Sequence, residues 1–407
     1  MAERYLIIAD DFTGANDTGV QMRKRGCPTE VLFAGKPLSP EKSIVIDTES
    51  RTIPREEAYR IVKDSLADVD FAGFKNVIKK VDSTLRGNIA WEVKAVDEIF
   101  QPELIVFAPA LPALGRTTVD GVHRLNGVPI CKTELSMDPK NPVLEDDLAE
   151  LLDRCYDEAI VLKKLPSVRS SSFALEGGRI FVCDAETNDD LRRVIHAAKK
   201  CGKRTLYIGS AGIADSLMET ESPTAPALGI AASISSITNH QMRYCEEHGI
   251  TMVKIPVHEL IRGTIRAETC RDEAIAALKR GEDTILLTNT AYNRIELELS
   301  REAGAEKGMD LSEVGDVIRV LLGRLAQEIL EQVEVSGMFV TGGDTALGIL
   351  KQIGADGSEI LSELLTGIPL IKVSGGNYHG LKMVTKAGAF GNEDAVAFAM
   401  KKIKEKI

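Results

Sequence analysis

The feature that most constrains this chain is a recurring alternation. A short, nearly all-apolar run is followed by an amphipathic stretch of helical period, then by another apolar run. Leu104-Ile105-Val106-Phe107-Ala108 is apolar at every position. A strand with one face in water would alternate, so this run belongs to a sheet covered on both faces. Residues 5–9 have the same character. They lead into a polar turn at 10–17, a helical segment at 18–25 closed by Gly26, and a further strand at 30–34. Strand, helix, strand is the unit of a parallel sheet, and glycine after a last helical residue is a common stop. The pattern predicts further strands at 43–47, 76–81, 160–162, 179–183 and 206–208, with helices at 55–67, 89–100, 145–156 and 189–201. Residues 109–142 are rich in Pro, Gly and Thr and weakly periodic. A connection that long inside a domain is usually functional.

With 407 residues the chain exceeds one ordinary core, and two domains of roughly 200 residues are expected. Residues 219–227 read Glu-Thr-Glu-Ser-Pro-Thr-Ala-Pro-Ala, without apolar period. We therefore place one domain at 1–218, a linker at 219–229 and a second domain at 230–407. Beyond the linker the alternation resumes. Strands are expected near 228–233, 251–255, 284–288, 337–341, 370–374 and 381–385, and helices near 238–248, 268–280, 311–334, 344–353 and 392–405. The fold class is α/β, in two domains, each a mostly parallel sheet flanked by helices.

Charge narrows the function. Fifty Lys and Arg against 61 Asp and Glu leave −11, a poor match for nucleic acid or an anionic membrane surface. The seven cysteines are scattered, with no C-x-x-C pair, which argues against a disulfide framework or a zinc site. The first apolar run meets two aspartates at once, unlike a signal peptide, and no run approaches a membrane span. The cytosol is the default compartment. A homo-oligomer is compatible with all of this, and its state is not readable from the sequence.

The chemistry-bearing residues cluster where strands end. Asp10-Asp11-Phe12-Thr13-Gly14-Ala15-Asn16-Asp17 follows the first strand, and ligands of open α/β sheets bind beyond that edge. Its carboxylates suit polyol hydroxyls or a cation. A helix cap is the simpler alternative, but capping needs one acid rather than three. Arg51, in Asp47-Thr48-Glu49-Ser50-Arg51, has the fork geometry for a carboxylate. Lys79-Lys80-Val81-Asp82-Ser83-Thr84-Leu85-Arg86-Gly87-Asn88 gathers bases, acid and hydroxyls as a cradle for a small hydroxylated anion. The long loop holds Gly115-Arg116-Thr117 and His123, a base or a structural histidine. Gly209-Ser210-Ala211-Gly212 is divided evenly between phosphate binding and close helix packing.

In the second half Gly337-Met338-Phe339-Val340-Thr341-Gly342-Gly343-Asp344-Thr345 is a buried strand that ends at two glycines and enters a helix. Glycines admit a close backbone and the helix start offers free N–H groups, which suits phosphate. Asp344 would repel a phosphate unless it holds a metal or takes a proton. Residues 382–394 repeat the logic around Gly388, and Ala232-Ser233 follows another strand. None of these is a Walker A loop or a dinucleotide fingerprint, so a P-loop NTPase and a Rossmann dehydrogenase are disfavoured.

Taken in order, these motifs resemble the two-domain four-carbon acid sugar kinases. The resemblance rests on Ala9 to Asp17, Lys80 to Gly87, Gly115-Arg116-Thr117 with Asp120-Gly121, Gly342 to Thr345, Gly367-Ile368-Pro369, and Thr385 to Gly391, and covers nearly the whole chain. It implies an N-terminal sugar-acid domain, a C-terminal ATP domain and an active site in the cleft between them. Members phosphorylate the terminal hydroxyl of D-threonate, D-erythronate or 3-oxo-tetronates, and the opening motif is most similar to the threonate and erythronate branch. Carried over by motif, Asp11, Arg51, Lys80, Asp82, Ser83, Thr84 and Arg86 would hold the sugar acid. Ser233, Gly342, Gly343, Asp344, Thr345 and Gly388 would hold ATP. Relatives commonly carry Gly-Ser where this chain has Ala232-Ser233. Phosphoryl transfer implies Mg²⁺ on the ATP phosphates, with metal ligands unassigned. Asp344 is the catalytic candidate, as base or metal ligand, with Asp11 and Asp82 as rival bases. A nucleotide-binding sensor without turnover is the competing class.

Overall fold

Alternate residues of one strand belong to different cores. In the computed structural model, Leu6 and Ile8 pack into one apolar cluster while Tyr5, Ile7 and Ala9 pack into another on the opposite face of the sheet. The strand is wholly buried because both faces are covered. The described residues are 4–293 and 295–406. They divide into two units, one running to Pro223 and taking in Lys406, the other spanning Thr224–Glu405.

In chain order the strands of the first unit are β1 (Tyr5–Ala9), β2 (Thr29–Phe33), β3 (Ser43–Asp47), β4 (Asn76–Lys80), β5 (Leu104–Phe107), β6 (Arg116–Val119), β7 (Val122–Leu125), β8 (Val128–Pro129), β9 (Ile160–Lys163), β10 (Ile180–Cys183) and β11 (Thr205–Gly209). Eight of them form one sheet in the order β2-β3-β1-β4-β11-β5-β10-β9. Every neighbouring pair in it is parallel. β6, β7 and β8 make a separate three-stranded antiparallel sheet inside the long 109–142 connection.

The second unit carries β12 (Ala227–Ala231), β13 (Thr251–Ile255), β14 (Thr284–Thr288), β15 (Gly337–Thr341), β16 (Gly357–Leu365), β17 (Ile368–Ser374) and β18 (Lys382–Lys386). Their order is β13-β14-β12-β15-β18-β17-β16. The first five are parallel, and β17 and β16 close one edge antiparallel. Leu228 and Ile230 join one core and Ala227 and Ala231 the other, repeating the two-faced pattern.

Several boundaries differ from expectation for physical reasons. The 10–17 stretch is not a turn. Asp11 accepts a hydrogen bond from Gly14 N at 3.0 Å and starts a helix at Phe12. The linker is shorter than 219–229, because a helix runs through Glu221 and β12 begins at Ala227. Lys406 leaves the second unit, its N–H bonding Lys24 O at 2.6 Å. β16 was not foreseen: it is exposed along most of its length, so it has no apolar period to read.

Candidate active site

Topology places the first unit's motifs together. From β1 the chain goes out to β2, returns through β3, then crosses to β4 on the other side of β1. That reversal opens a crevice at the carboxyl ends of β1 and β4. Asp10 and Asp11 leave β1, residues 48–51 leave β3, and Lys80 ends β4.

Arg51 is the hub. Its Nε and Nη2 donate to Asp10 at 2.7 and 2.8 Å, and its Nη1 and Nη2 donate to Asp11 at 2.8 and 2.6 Å. Asp82 Oδ1 lies 3.8 Å away. These carboxylates hold the guanidinium well above its ordinary range, against the desolvation that opposes it. Four of the five N–H donors of the fork expected to grip a substrate carboxylate are therefore taken by protein carboxylates. Burial would raise Asp82, but the Arg86 hydrogen bond and the Arg51 charge hold it well below the usual carboxylate range. Arg86 Nε donates to Asp82 at 2.8 Å, and Thr84 Oγ1 donates to the same carboxylate. Lys80 is buried, and desolvation pushes its ammonium down despite Asp10 and Asp82. A Cβ on Gly14 would fall 2.5 Å from Asp11 Oδ1 and 2.8 Å from Lys80 Nζ, so only glycine admits both side chains over the helix start.

Behind this layer the loops are tied. Asn88 Nδ2 donates to the carbonyls of Ser50 and Ile53 at 2.9 and 2.8 Å. Ser50 Oγ donates to buried Glu92, whose other oxygen lies 2.7 Å from Lys79 Nζ. His123 is buried, with Nε2 3.0 Å from the Ser83 carbonyl and Nδ1 2.9 Å from Thr118 Oγ1. It positions the Ser83 backbone. In front lies a cavity of about 250 Å³ lined by Asp11, Glu49, Arg51, Arg86, Lys140 and Asn141, among others. A larger one, about 420 Å³, lies at the amino ends of β4 and β11 and holds none of the motif residues.

In the second unit the carboxyl ends of β12, β15 and β18 lie side by side. Gly342, at φ 96°, turns the chain from β15 into the helix Gly343–Gln352. No side chain among the described residues caps this helix. Ala346 N bonds Gly342 O at 3.0 Å, while among the described residues the N–H groups of Gly343, Asp344 and Thr345 have no partner. Thr341 Oγ1, directly before them, is buried and likewise has no partner among the described residues. The exposed Asp344 carboxylate has no ion pair or side-chain hydrogen bond among the described residues. Beside it a cavity of about 400 Å³ is lined by Ala232, Ile234, Thr288, Leu311, Ile318 and Asp344, among others. Gly388 lies against Ser233, and a Cβ there would meet Ser233 Oγ at 2.5 Å.

A family model described as a sugar-binding N-terminal domain matches residues 5–217, and one described as a nucleotide-binding C-terminal domain matches residues 228–396. The chain is 34% identical to a D-threonate kinase of Salmonella typhimurium, over 99% of both proteins. The chain belongs to the four-carbon acid sugar kinase family. Within that family it is 28% identical to a D-erythronate kinase of Heliobacterium modesticaldum, over 96% of this chain and 94% of the relative. A 3-oxo-tetronate kinase of Methylobacterium radiotolerans is 25% identical over 95% and 96%. A crystal structure from Bordetella bronchiseptica, described as a domain of unknown function with bound citrate and a domain-swapped dimer, superposes with a TM-score of 0.62 at 27% identity, over 98% of each chain.

For this sugar kinase family member, the structure brings Asp11, Arg51, Lys80, Asp82, Thr84 and Arg86 into one network. Ser83 contributes its carbonyl to His123 rather than to that network. Ser233 meets Gly388, and Gly342, Gly343, Asp344 and Thr345 form one helix start. Gly209-Ser210-Ala211-Gly212 resolves toward packing. Cβ atoms on Gly209 and Gly212 would strike the carbonyls of Ala108 and Ala110 at 2.5 and 2.3 Å, and Ser210 Oγ donates to Ala110 O. Lys140 and Asn141 at the cavity were not among the sequence candidates, and the bonds that Lys386, Thr238 and Gln241 make beneath the Gly388 loop were not foreseen. The length of the 109–142 loop flagged the first two. Nothing in the sequence showed which way Lys386 points.

Proposed function

We propose that this chain transfers the γ-phosphoryl group of ATP to the C4 hydroxyl of D-threonate. The coarser activity, a kinase acting on a four-carbon sugar-acid hydroxyl, follows from its family. The observation that carries the nucleotide side is the uncapped helix start at Gly343–Gln352, with free N–H groups and an unpartnered carboxylate in one place. D-threonate is preferred as acceptor because the 34% identical relative bears that name, against 28% and 25% for the erythronate and oxo-tetronate relatives.

The phosphates rest on the N–H groups of residues 343–345, where the helix dipole and free donors favour negative charge. The adenine enters the adjoining cavity, against Ile234, Leu311 and Ile318. Asp344 fits a divalent cation or the acceptor hydroxyl, since its carboxylate is free and stands at the phosphate site. Among the described residues no three His, Cys, Asp or Glu side chains gather to cage a metal. That suits Mg²⁺, which is held by one or two carboxylates plus substrate phosphates. When bound, Mg²⁺ neutralises charge on the transferring group. In the first unit Arg86 and Lys140 receive the substrate carboxylate, because four of the five Arg51 N–H donors are already taken by Asp10 and Asp11. Asp11 and Glu49 accept from the hydroxyls. Transfer requires the C4 oxygen in line with the γ-phosphorus and water kept out.

The test is coupled ADP release with Mg²⁺-ATP and a panel of D-threonate, D-erythronate and 3-oxo-tetronates. Turnover should be highest with D-threonate. Preference for another four-carbon acid would overturn the acceptor, and silence across the panel with folded protein would overturn the kinase. Asp344→Asn should lower kcat by about a hundredfold or more, the scale for losing one charge-stabilising or positioning group. Near-wild-type turnover would remove Asp344 from both roles.

A further inference from the structure

Lys386 ends β18 and enters the Gly388 loop, where a lysine would ordinarily be read as a phosphate ligand. Its geometry is the reverse. The side chain is buried, and Nζ lies 3.1 Å from each of the carbonyls of Ala387, Gly388 and Phe390, with Thr238 Oγ1 at 3.5 Å. An ammonium has three hydrogens, so these acceptors saturate it. Among the described residues no carboxylate pairs with it. Burial alone pushes its pKa down to about 8. The helix Ser236–Glu247 reinforces the same arrangement. Thr238 Oγ1 donates to Gly388 O at 3.1 Å, and Gln241 Nε2 donates to the carbonyls of Phe390, Gly391 and Asn392 at 3.1, 3.1 and 2.7 Å.

A trans peptide points its N–H opposite to its C=O. Drawing the carbonyls of 387, 388 and 390 to one buried point therefore turns the N–H groups of Gly388, Ala389 and Gly391 away from it. Among the described residues those N–H groups have no hydrogen-bond partner, and the loop faces solvent at 387, 389 and 391. Successive free amides on a curved loop form an anion-binding nest.

We propose that Lys386 is a positioning residue for the nucleotide. Its ammonium holds the loop carbonyls inward so that the Gly388, Ala389 and Gly391 amides face the phosphates of ATP, which it does not itself touch. The inference rests on the reading of the second unit as the ATP site.

The experiment measures equilibrium binding of Mg²⁺-ATP and, separately, of D-threonate to the full chain. It compares wild type, Lys386→Met and Thr238→Val, with steady-state KM and kcat alongside. Lys386→Met should weaken ATP about tenfold to a hundredfold, the range for losing charged hydrogen bonds. It should leave D-threonate affinity unchanged and raise KM for ATP more than it lowers kcat. Thr238→Val, which removes the second donor to the Gly388 carbonyl, should weaken ATP about threefold to tenfold. Folded Lys386→Met with wild-type ATP affinity overturns the proposal. If Lys386→Met does not fold, a stable Thr238→Val with unchanged ATP affinity overturns it instead. Wild type that fails to bind ATP overturns the nucleotide reading and this proposal together. Wild type and variants that bind equally well overturn only the role of Lys386.

Discussion

His123 shows how a residue's neighbours decide its chemistry. A base needs an accessible nitrogen, and both of its ring nitrogens are used, one on the Ser83 carbonyl and one on Thr118. Nε2 faces a carbonyl and so carries the proton, leaving Nδ1 to accept from the hydroxyl. Desolvation pushes its pKa from 6.5 down to about 4. The unfolded chain takes up a proton that the folded protein refuses. The stabilisation is thus complete above pH 6.5 and is lost as pH falls from there toward 4. Thermal melts across that window should show a steeper loss of Tm in wild type than in His123→Gln. His123→Leu, which offers no donor, should cost about 1–3 kcal/mol at neutral pH through the orphaned Ser83 carbonyl. Arg51 teaches the same lesson: its type was legible in the sequence, but not its partners Asp10 and Asp11, which take four of its five N–H donors.

At the scale of elements, the periods of 2 and 3.6 were enough to find the buried strands, because burial on both faces leaves an uninterrupted apolar run. They failed where burial does not govern. β16 is held by its hydrogen bonds to β17, and β6 to β8 are short strands folded on a loop. The meeting of two strand ends is likewise invisible in sequence, and it can be tested. Gly388 is pressed against Ser233, whose Oγ accepts from Ser235 N at 3.3 Å. Gly388→Ala must rotate or displace that hydroxyl. It should raise KM for ATP about fivefold to thirtyfold, the range for roughly 1–2 kcal/mol of overpacking strain. Adding Ser233→Ala removes the struck atom and should recover much of any lost Tm, so the pair should be non-additive in a double-mutant cycle.

For the whole molecule, each unit encloses two apolar clusters of its own, drawn from residues below 224 in one case and above it in the other. Separate cores permit separate unfolding. A ligand that binds only one folded unit stabilises that unit by mass action. Urea titration should resolve two transitions, with Mg²⁺-ATP moving one midpoint and D-threonate the other. A single transition moved equally by both ligands would contradict the assignment of one ligand to each unit.

The α/β class, the parallel sheets and the strand ends that carry chemistry were all legible along the chain. Those follow from local apolar periodicity and from glycine, acid and hydroxyl residues placed where a strand must stop. Which strand ends are neighbours emerges in the folded chain, since strand order depends on pairing across tens or hundreds of residues. The tertiary structure also decided which polar groups remain free. Two aspartates take four of the five Arg51 N–H donors and three carbonyls take the Lys386 ammonium, while among the described residues Asp344 and the helix start beside it stay open. A side chain's type states what it can bond, and its position among other donors and acceptors states what is left for a ligand.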